Sequence, residues 1–255
     1  MSWLEIATLA LLPLFLVADL LHRAHRDRRA RGWRTRALLV TAVNFGLSLV
    51  VGQAWVTLFG GASLFDGAAL GTLGGAVVGV LVYEFVHYAY HRSAHRFDWL
   101  WRLGHQMHHS AESLDAWGAY FLHPLDAAIF LSASSLVLYP LLGLSPQAGA
   151  AASAVLTFCA VLQHADIRTP RWLGYLVQRP ESHAIHHERG VHAYNYADLP
   201  LWDIVFGTFR NPSAESRPEQ GFYDGASARL RDMLLFRDVS TPRTARCRLS
   251  RAASD

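Results

Sequence analysis

The sequence contains no lysine; all 23 basic residues are arginine. Charge of either sign is scarce, 17% of residues, against about 25% in ordinary globular domains. Disorder and collagen-like repeats are thereby excluded. Cysteine appears twice, at Cys159 and Cys247, too seldom for a disulfide scaffold, a cysteine-rich zinc module or a cysteine-held iron–sulfur centre. The net charge of +3 comes with no basic stripe interleaved with aromatics, so no nucleic acid is expected as a partner. A G-x-G-x-x-G following a strand, a c-type haem attachment motif and the zinc-protease H-E-x-x-H are all missing. Any redox chemistry must therefore draw its electrons from a separate protein.

Hydrophobic residues make up 52% of the chain, and they are concentrated. Residues 3–21 carry only Glu5 and Asp19, with neither the positive start nor the small-x-small cleavage site of a signal peptide. Ala37 to Phe65 has no charge and holds one crossing at about 20 residues. Gly67 to Tyr83 is uncharged and rich in Gly and Ala, a composition suited to close helix packing. Ala127 to Gln163 is again uncharged, and Leu144-Ser145-Pro146 divides it into a hairpin over 127–143 and 147–163. Each arm is short for a full crossing.

Residues 22–36 hold seven arginines between the first two spans. The positive-inside rule assigns that loop to the cytoplasm. Alternating crossings then put residues 84–125 and everything after Gln163 on the same side. The expected fold is an all-α integral membrane bundle of about four or five membrane helices with a cytoplasmic helical cap. Its regions are the N-terminal spans with their arginine loop (1–83), a histidine-rich region including the hairpin 127–163 (84–210), and a polar tail (211–255).

That topology used no histidine, yet it brings the histidine clusters to one face. The chain has 14 histidines. His91 and His95 stand four apart, on one helix face. His105, His108 and His109 form H-x-x-H-H, which His183, His186 and His187 repeat. At this histidine frequency one such motif arises by chance about 0.04 times per chain. His164 lies where the hairpin returns. Nine imidazoles exceed the four that tetrahedral zinc accepts; two ions with four or five nitrogens each would use them all. Imidazole suits zinc, copper, iron and nickel alike. Ferritin-like di-iron sites need two Glu-x-x-His motifs, and Glu84-x-x-His87 occurs once.

The runs Tyr90-His91-Arg92-x-x-His95 and Leu100-Trp101-x-x-x-His105-x-x-His108-His109-Ser110 resemble the fatty acid hydroxylase / sterol desaturase superfamily. So do Phe121-x-His123-Pro124-Leu125-Asp126, Gln163-His164-Ala165-Asp166, and His183-x-x-His186-His187 followed by Asn195-Tyr196. The resemblance covers roughly residues 84–210, in the family's order. It implies a membrane-embedded, non-haem di-iron oxygenase that uses O2 and external electrons on lipid C–H bonds, by hydroxylation or desaturation. The two irons would be held by His91, His95, His105, His108, His109, His164, His183, His186 and His187; for His164 it is the Gln-His-Ala pattern that argues ligation. Two positions depart from the pattern: Ala197 stands where glycine is usual and Asp126 where glutamate is frequent.

Such chemistry suits a lipid-like substrate, whose unactivated C–H bond offers no acidic proton; only a metal–oxygen species breaks it. Carboxylates are expected behind the imidazole N–H groups, with Asp166, Glu188, Asp198 and Asp203 as candidates. An arginine-rich cytoplasmic surface would dock an acidic electron carrier. The expected location is a bacterial inner membrane, surrounded by its lipids.

Plainer roles fit the remaining residues. His22 and His25 read as solvated flanks of the membrane, His87 and His123 as supporting or packing residues, and His192 as exposed. Trp99, Trp101, Trp172 and Trp202 read as an interfacial belt, and Leu230–Leu235 as a peripheral helix ahead of a loose tail. A membrane transporter is the rival from another class. It would carry ligands inside the spans near the midplane, whereas these flank them. Structural zinc, closed at four ligands, does not need nine.

Overall fold

A computed structural model describes residues 3–21, 30–213 and 218–242; His22, His25 and Cys247 lie outside the described residues. Among the described residues the secondary structure is helical, with one isolated bridge between Glu188 and Gln220. Helix α1 spans Trp3–Leu21, α2 Trp33–Phe59 and α3 Gly71–Arg96; a short α4 (Asp98–Leu100), a π-helical turn over Trp101–His105 and α5 (Gln106–His109) follow. The hairpin is α6 (Pro124–Leu136), extended by a π-helical turn to Leu141, and α7 (Pro146–Leu162). Then come α8 (Pro180–His186), α9 (Pro200–Val205) and α10 (Leu230–Leu234).

Among the described residues four helical stretches are long and apolar enough to cross a membrane: Trp3–Leu21, Trp33–Phe59, Gly67–Arg96 and Pro124–Leu141; α7, at 17 residues, is shorter. Leu9, Leu14, Val17, Leu39, Val43, Leu49 and Val50 point outward from α1 and α2. Such a surface is stable against lipid and costly against water. Inside, α3 packs on α7 through small residues. A Cβ on Gly75 would lie 2.9 Å from that of Ala148 in α7, so only glycine permits this approach.

The ends of the bundle are unlike. At one end the α2–α3 loop meets the hairpin tip, where the Leu64, Phe65 and Gly67 amides donate to the carbonyls of Pro140, Leu141 and Leu142. At the other, buried Asp19 of α1 accepts from the Ala116 and Asp166 amides, and Trp33 of α2 donates to Asp115. The end of α1 and the start of α2 thus sit beside the residues that carry the histidines, in a head formed by 97–123, 164–213 and 218–242. Helix α3 reaches that head unbroken. Its 26 residues extend about 39 Å, running straight through the expected boundary at 83/84. The tail differs from the sequence expectation as well. Met233 of α10 and Val239 are fully buried against Trp33, Met107 and Phe121. Glu112 and Gln106 accept from the Ser227 and Val239 amides, so this segment is packed into the head and not peripheral.

Candidate metal centre

All nine histidines singled out by spacing and motif come together, and they separate into two groups. His91, His95, His105, His109 and His186 form one; His108, His164, His183 and His187 form the other. Within each group, one ligand atom per residue lies within 4.8 Å of every other. The two H-x-x-H-H motifs are split in opposite senses. The first gives His105 and His109 to the five and His108 to the four; the second gives His186 to the five and His183 and His187 to the four. The groups touch where the His109 and His187 rings stack, 4.1 Å apart.

In the five-histidine group four of the rings have an outward anchor. His91 Nδ1 donates to the Tyr196 carbonyl at 2.6 Å and His186 Nδ1 to the Tyr194 carbonyl at 2.7 Å. His105 Nδ1 donates to Asp126 Oδ2 at 2.9 Å, and His109 Nδ1 meets His192 Nδ1 at 3.1 Å. A proton fixed on Nδ1 leaves the lone pair on Nε2. The Nε2 atoms of His91, His95, His105, His109 and His186 are all buried and have no hydrogen-bond partner. Five inward nitrogens with nothing to bond are a costly arrangement for a protein core and a natural one for a cation. Burial pushes the imidazoles of His109 and His186 well below their ordinary range, so they are neutral at pH 7, the state that ligates.

The four-histidine group converges more tightly. His164 Nε2 lies 3.1 Å from both His108 Nε2 and His183 Nε2, and His187 Nε2 lies 3.0 Å from His183 Nε2. Neutral imidazoles cannot all satisfy one another this way, because each Nε2 that accepts needs another that donates. Four nitrogens at such separations match the donor set of a four-coordinate cation. His164 Nδ1 donates to the Ala160 carbonyl at 2.7 Å. Burial lowers the His164 pKa to about 4 and holds His108, His183 and His187 well below the usual range.

The carboxylate behind the histidines is Asp126. It stands in the first turn of α6, where Tyr90 Oη donates to its other oxygen at 2.5 Å. Gly104 makes its approach possible, since a Cβ there would lie 2.7 Å from that of Asp126. The four carboxylates expected in this role sit elsewhere. Asp203 accepts from the amides of Tyr196 and Ala197 and from Thr208 Oγ1, which fixes the carbonyl that holds His91. Asp198 lies beside Glu84 and His87, Asp166 bonds Asp19 through its amide, and Glu188 pairs its backbone with Gln220. Burial raises the Asp198 pKa to about 7.

Two further expectations, on His192 and Trp101, are corrected. His192 is half-buried against His109. Trp101 forms a wall of the five-histidine group, its ring 5.2 Å from those of His95 and His109. Trp202 packs on Phe85, centroids 4.9 Å apart, and donates to the Leu81 carbonyl; Trp99 and Trp172 are exposed. His123 joins neither group; its Nδ1 accepts from the Leu125 amide and caps α6. The turn before Ala197 takes its left-handed backbone at His192, Tyr194 and Asn195, so no glycine is required at 197.

Residues 76–208, just over half of the chain, match the fatty acid hydroxylase family. The chain belongs to that family. Among curated relatives, a very-long-chain aldehyde decarbonylase of Oryza sativa is 28% identical over 155 residues, covering 57% of this chain and 58% of the relative. Sphinganine C4-monooxygenase 1 of Arabidopsis thaliana is 27% identical over 150 residues, 57% of this chain and 58% of its own length. Ornithine lipid hydroxylase OlsE of Rhizobium tropici is 33% identical over 150 residues, 57% of this chain and 44% of its own. The aligned part thus spans less than two thirds of these relatives. No solved structure matches the chain. Family membership and the apolar helices together make this fatty acid hydroxylase family member an integral membrane protein.

Proposed function

We propose that this protein is a non-haem di-iron oxygenase that hydroxylates an alkyl C–H bond of a membrane lipid. O2 is the oxidant, and a separate protein supplies two electrons; one oxygen atom enters the lipid and the other leaves as water with two protons. The observation that carries this reading is the pair of buried imidazole groups, five and four, whose inward nitrogens lack other partners. His91, His95, His105, His109 and His186 would hold one iron and His108, His164, His183 and His187 the other. When bound, the iron pair supplies the oxidising power that breaking an unactivated C–H bond demands.

The protein's own residues would do the rest. Asp126 and the carbonyls of Tyr194 and Tyr196 keep protons on Nδ1 and aim Nε2 inward. Burial of both groups excludes water from the reacting centre. Helix α3 runs from lipid-facing residues directly to His91 and His95, so an alkyl chain lying along it approaches from the bilayer. The named relatives include hydroxylases of sphinganine and of ornithine lipid, and a long-chain lipid bearing an amine-containing head is the favoured substrate class. The flanks of the arginine loop lie at the head end of the bundle, so the positive-inside rule assigns the metal centre to the cytoplasmic face, in a bacterial inner membrane. Exposed arginines there suit an acidic electron carrier.

The test is metal content followed by turnover. Purified wild-type protein is expected to hold about two irons per chain, with less in His108→Ala. With O2 and a reductant, a long-chain aminolipid should gain one labelled oxygen from labelled O2. A product short of two hydrogens would assign desaturation instead, and a single zinc that persists in His108→Ala would overturn the di-iron reading.

A further inference from the structure

Outside the nine histidines lies one more buried group of metal-binding side chains among the described residues: Glu84, His87 and Asp198. Glu84 and His87 are the chain's single Glu-x-x-His, one turn before His91, and their i, i+3 spacing puts them on one face of α3. Exposure is 0% for Glu84, 8% for His87 and 5% for Asp198.

Each carboxylate commits one oxygen to the fold. Glu84 Oε2 accepts from the Asp198 and Leu199 amides at 2.9 and 3.0 Å, and Asp198 Oδ1 accepts from Gln163 Nε2 at 2.7 Å. The remaining atoms face one another. His87 Nδ1 lies 3.7 Å from Glu84 Oε1 and 3.9 Å from Asp198 Oδ2. Both Glu84 Oε1 and His87 Nδ1 are buried and have no hydrogen-bond partner.

These separations are too long for hydrogen bonds and suit atoms gathered around a common ion. Ligands about 2.2 Å from a metal and this far apart subtend about 115–125° at it. Charge balance points the same way. Two buried carboxylates face one imidazole, and no arginine forms an ion pair with either among the described residues. A divalent ion with neutral His87 would offset both carboxylates in their ionised form.

We propose that Glu84, His87 and Asp198 bind a divalent cation of the manganese class, at a third site distinct from the two histidine centres. One nitrogen and two carboxylate oxygens form a harder donor set than imidazoles alone. The His87 ring stacks on that of His91, 5.5 Å away at 15°. Asp198 follows two residues after Tyr196, whose carbonyl anchors His91. The ion would clamp α3 to the 196–199 segment immediately behind the five-histidine centre.

The experiment uses full-length, iron-loaded protein in detergent, titrated with Mn2+ alone and read by electron paramagnetic resonance. The expected result is one bound Mn2+ per chain carrying hyperfine coupling to a single nitrogen, His87. Asp198→Asn keeps the acceptor for Gln163 but removes a charge, and should abolish that signal with the iron content unchanged. No uptake by wild type, or equal uptake by Asp198→Asn, overturns the proposal. Should Asp198→Asn not fold, the wild-type nitrogen count decides: none overturns it, and four or five would mean that Mn2+ had entered the histidine centres, which overturns it too. The His108→Ala protein separates the two readings. Its iron content tests the di-iron proposal, and its single-nitrogen Mn2+ signal should persist whatever that content is.

Discussion

The two histidine groups are built to different plans. In the five, four rings are held from behind by partners at 2.6–3.1 Å, one of them a carboxylate. In the four, His164 has a backbone carbonyl behind it, and His183 Nδ1 is buried without a partner. The five-histidine group is therefore oriented by hydrogen bonds, one of them to Asp126, and the four-histidine group chiefly by packing and by the helical spacing of its residues. An anionic partner raises the basicity of the imidazole in front of it. A pair of ions so bound would be electronically unequal, one with a carboxylate-backed ligand and the other without.

The largest effect comes from removing one ligand of each. His186→Ala and His183→Ala should each lower metal content by about one ion per chain and abolish lipid oxidation, as measured by elemental analysis and turnover. If either variant alone empties both centres, the stacked His109–His187 contact couples them and the division into separate sites is wrong.

Asp126→Asn sharpens the contrast, because an amide has the same shape and no charge. Metal affinity of the five-histidine centre should fall roughly 10–100-fold while the four-histidine centre is unchanged, as read by competition with a chelator. Gly104→Ala attacks the same contact sterically. A Cβ at 2.7 Å from that of Asp126 must push α6 back, at a cost of about 1–3 kcal/mol. The melting temperature should drop, and the five-histidine centre should again lose affinity selectively. Equal losses at both centres would make Asp126 a general packing residue.

Much of this was legible in the residues themselves. Long uncharged runs gave the spans, Ser145-Pro146 gave the hairpin turn, and doubled H-x-x-H-H gave the gathering of histidines. The division into five and four was not legible. Positions i, i+3 and i+4 share one helix face, and only the packing of two such faces decides that His108 turns away from His105 and His109. Asp126 was hidden for a similar reason. It lies 21 residues from His105 in sequence, and the glycine that admits it acts through absence of a side chain. Trp101 and His192 were misread because amphipathic and polar residues near a membrane have a cheap default, the interface or the solvent. Their burial depends on the 218–242 segment, where Phe222 packs on both rings, and no periodicity marks that segment as core.

The smallest effect tests a histidine that the comparison leaves out. His123 is buried, yet it belongs to neither group and lies next to the α6 start that carries Asp126. Its Nδ1 accepts from the Leu125 amide at 3.1 Å, and its ring sits against Phe236. His123→Ala removes a helix cap and should cost about 1 kcal/mol, visible as a modest fall in melting temperature. His123→Asn restores a capping oxygen and should recover most of that loss. Metal content should equal wild type in both variants. Loss of an ion from both would promote His123 to a ligand and break the division into five and four; loss from His123→Ala alone would mean that the cap also fixes Asp126 behind His105.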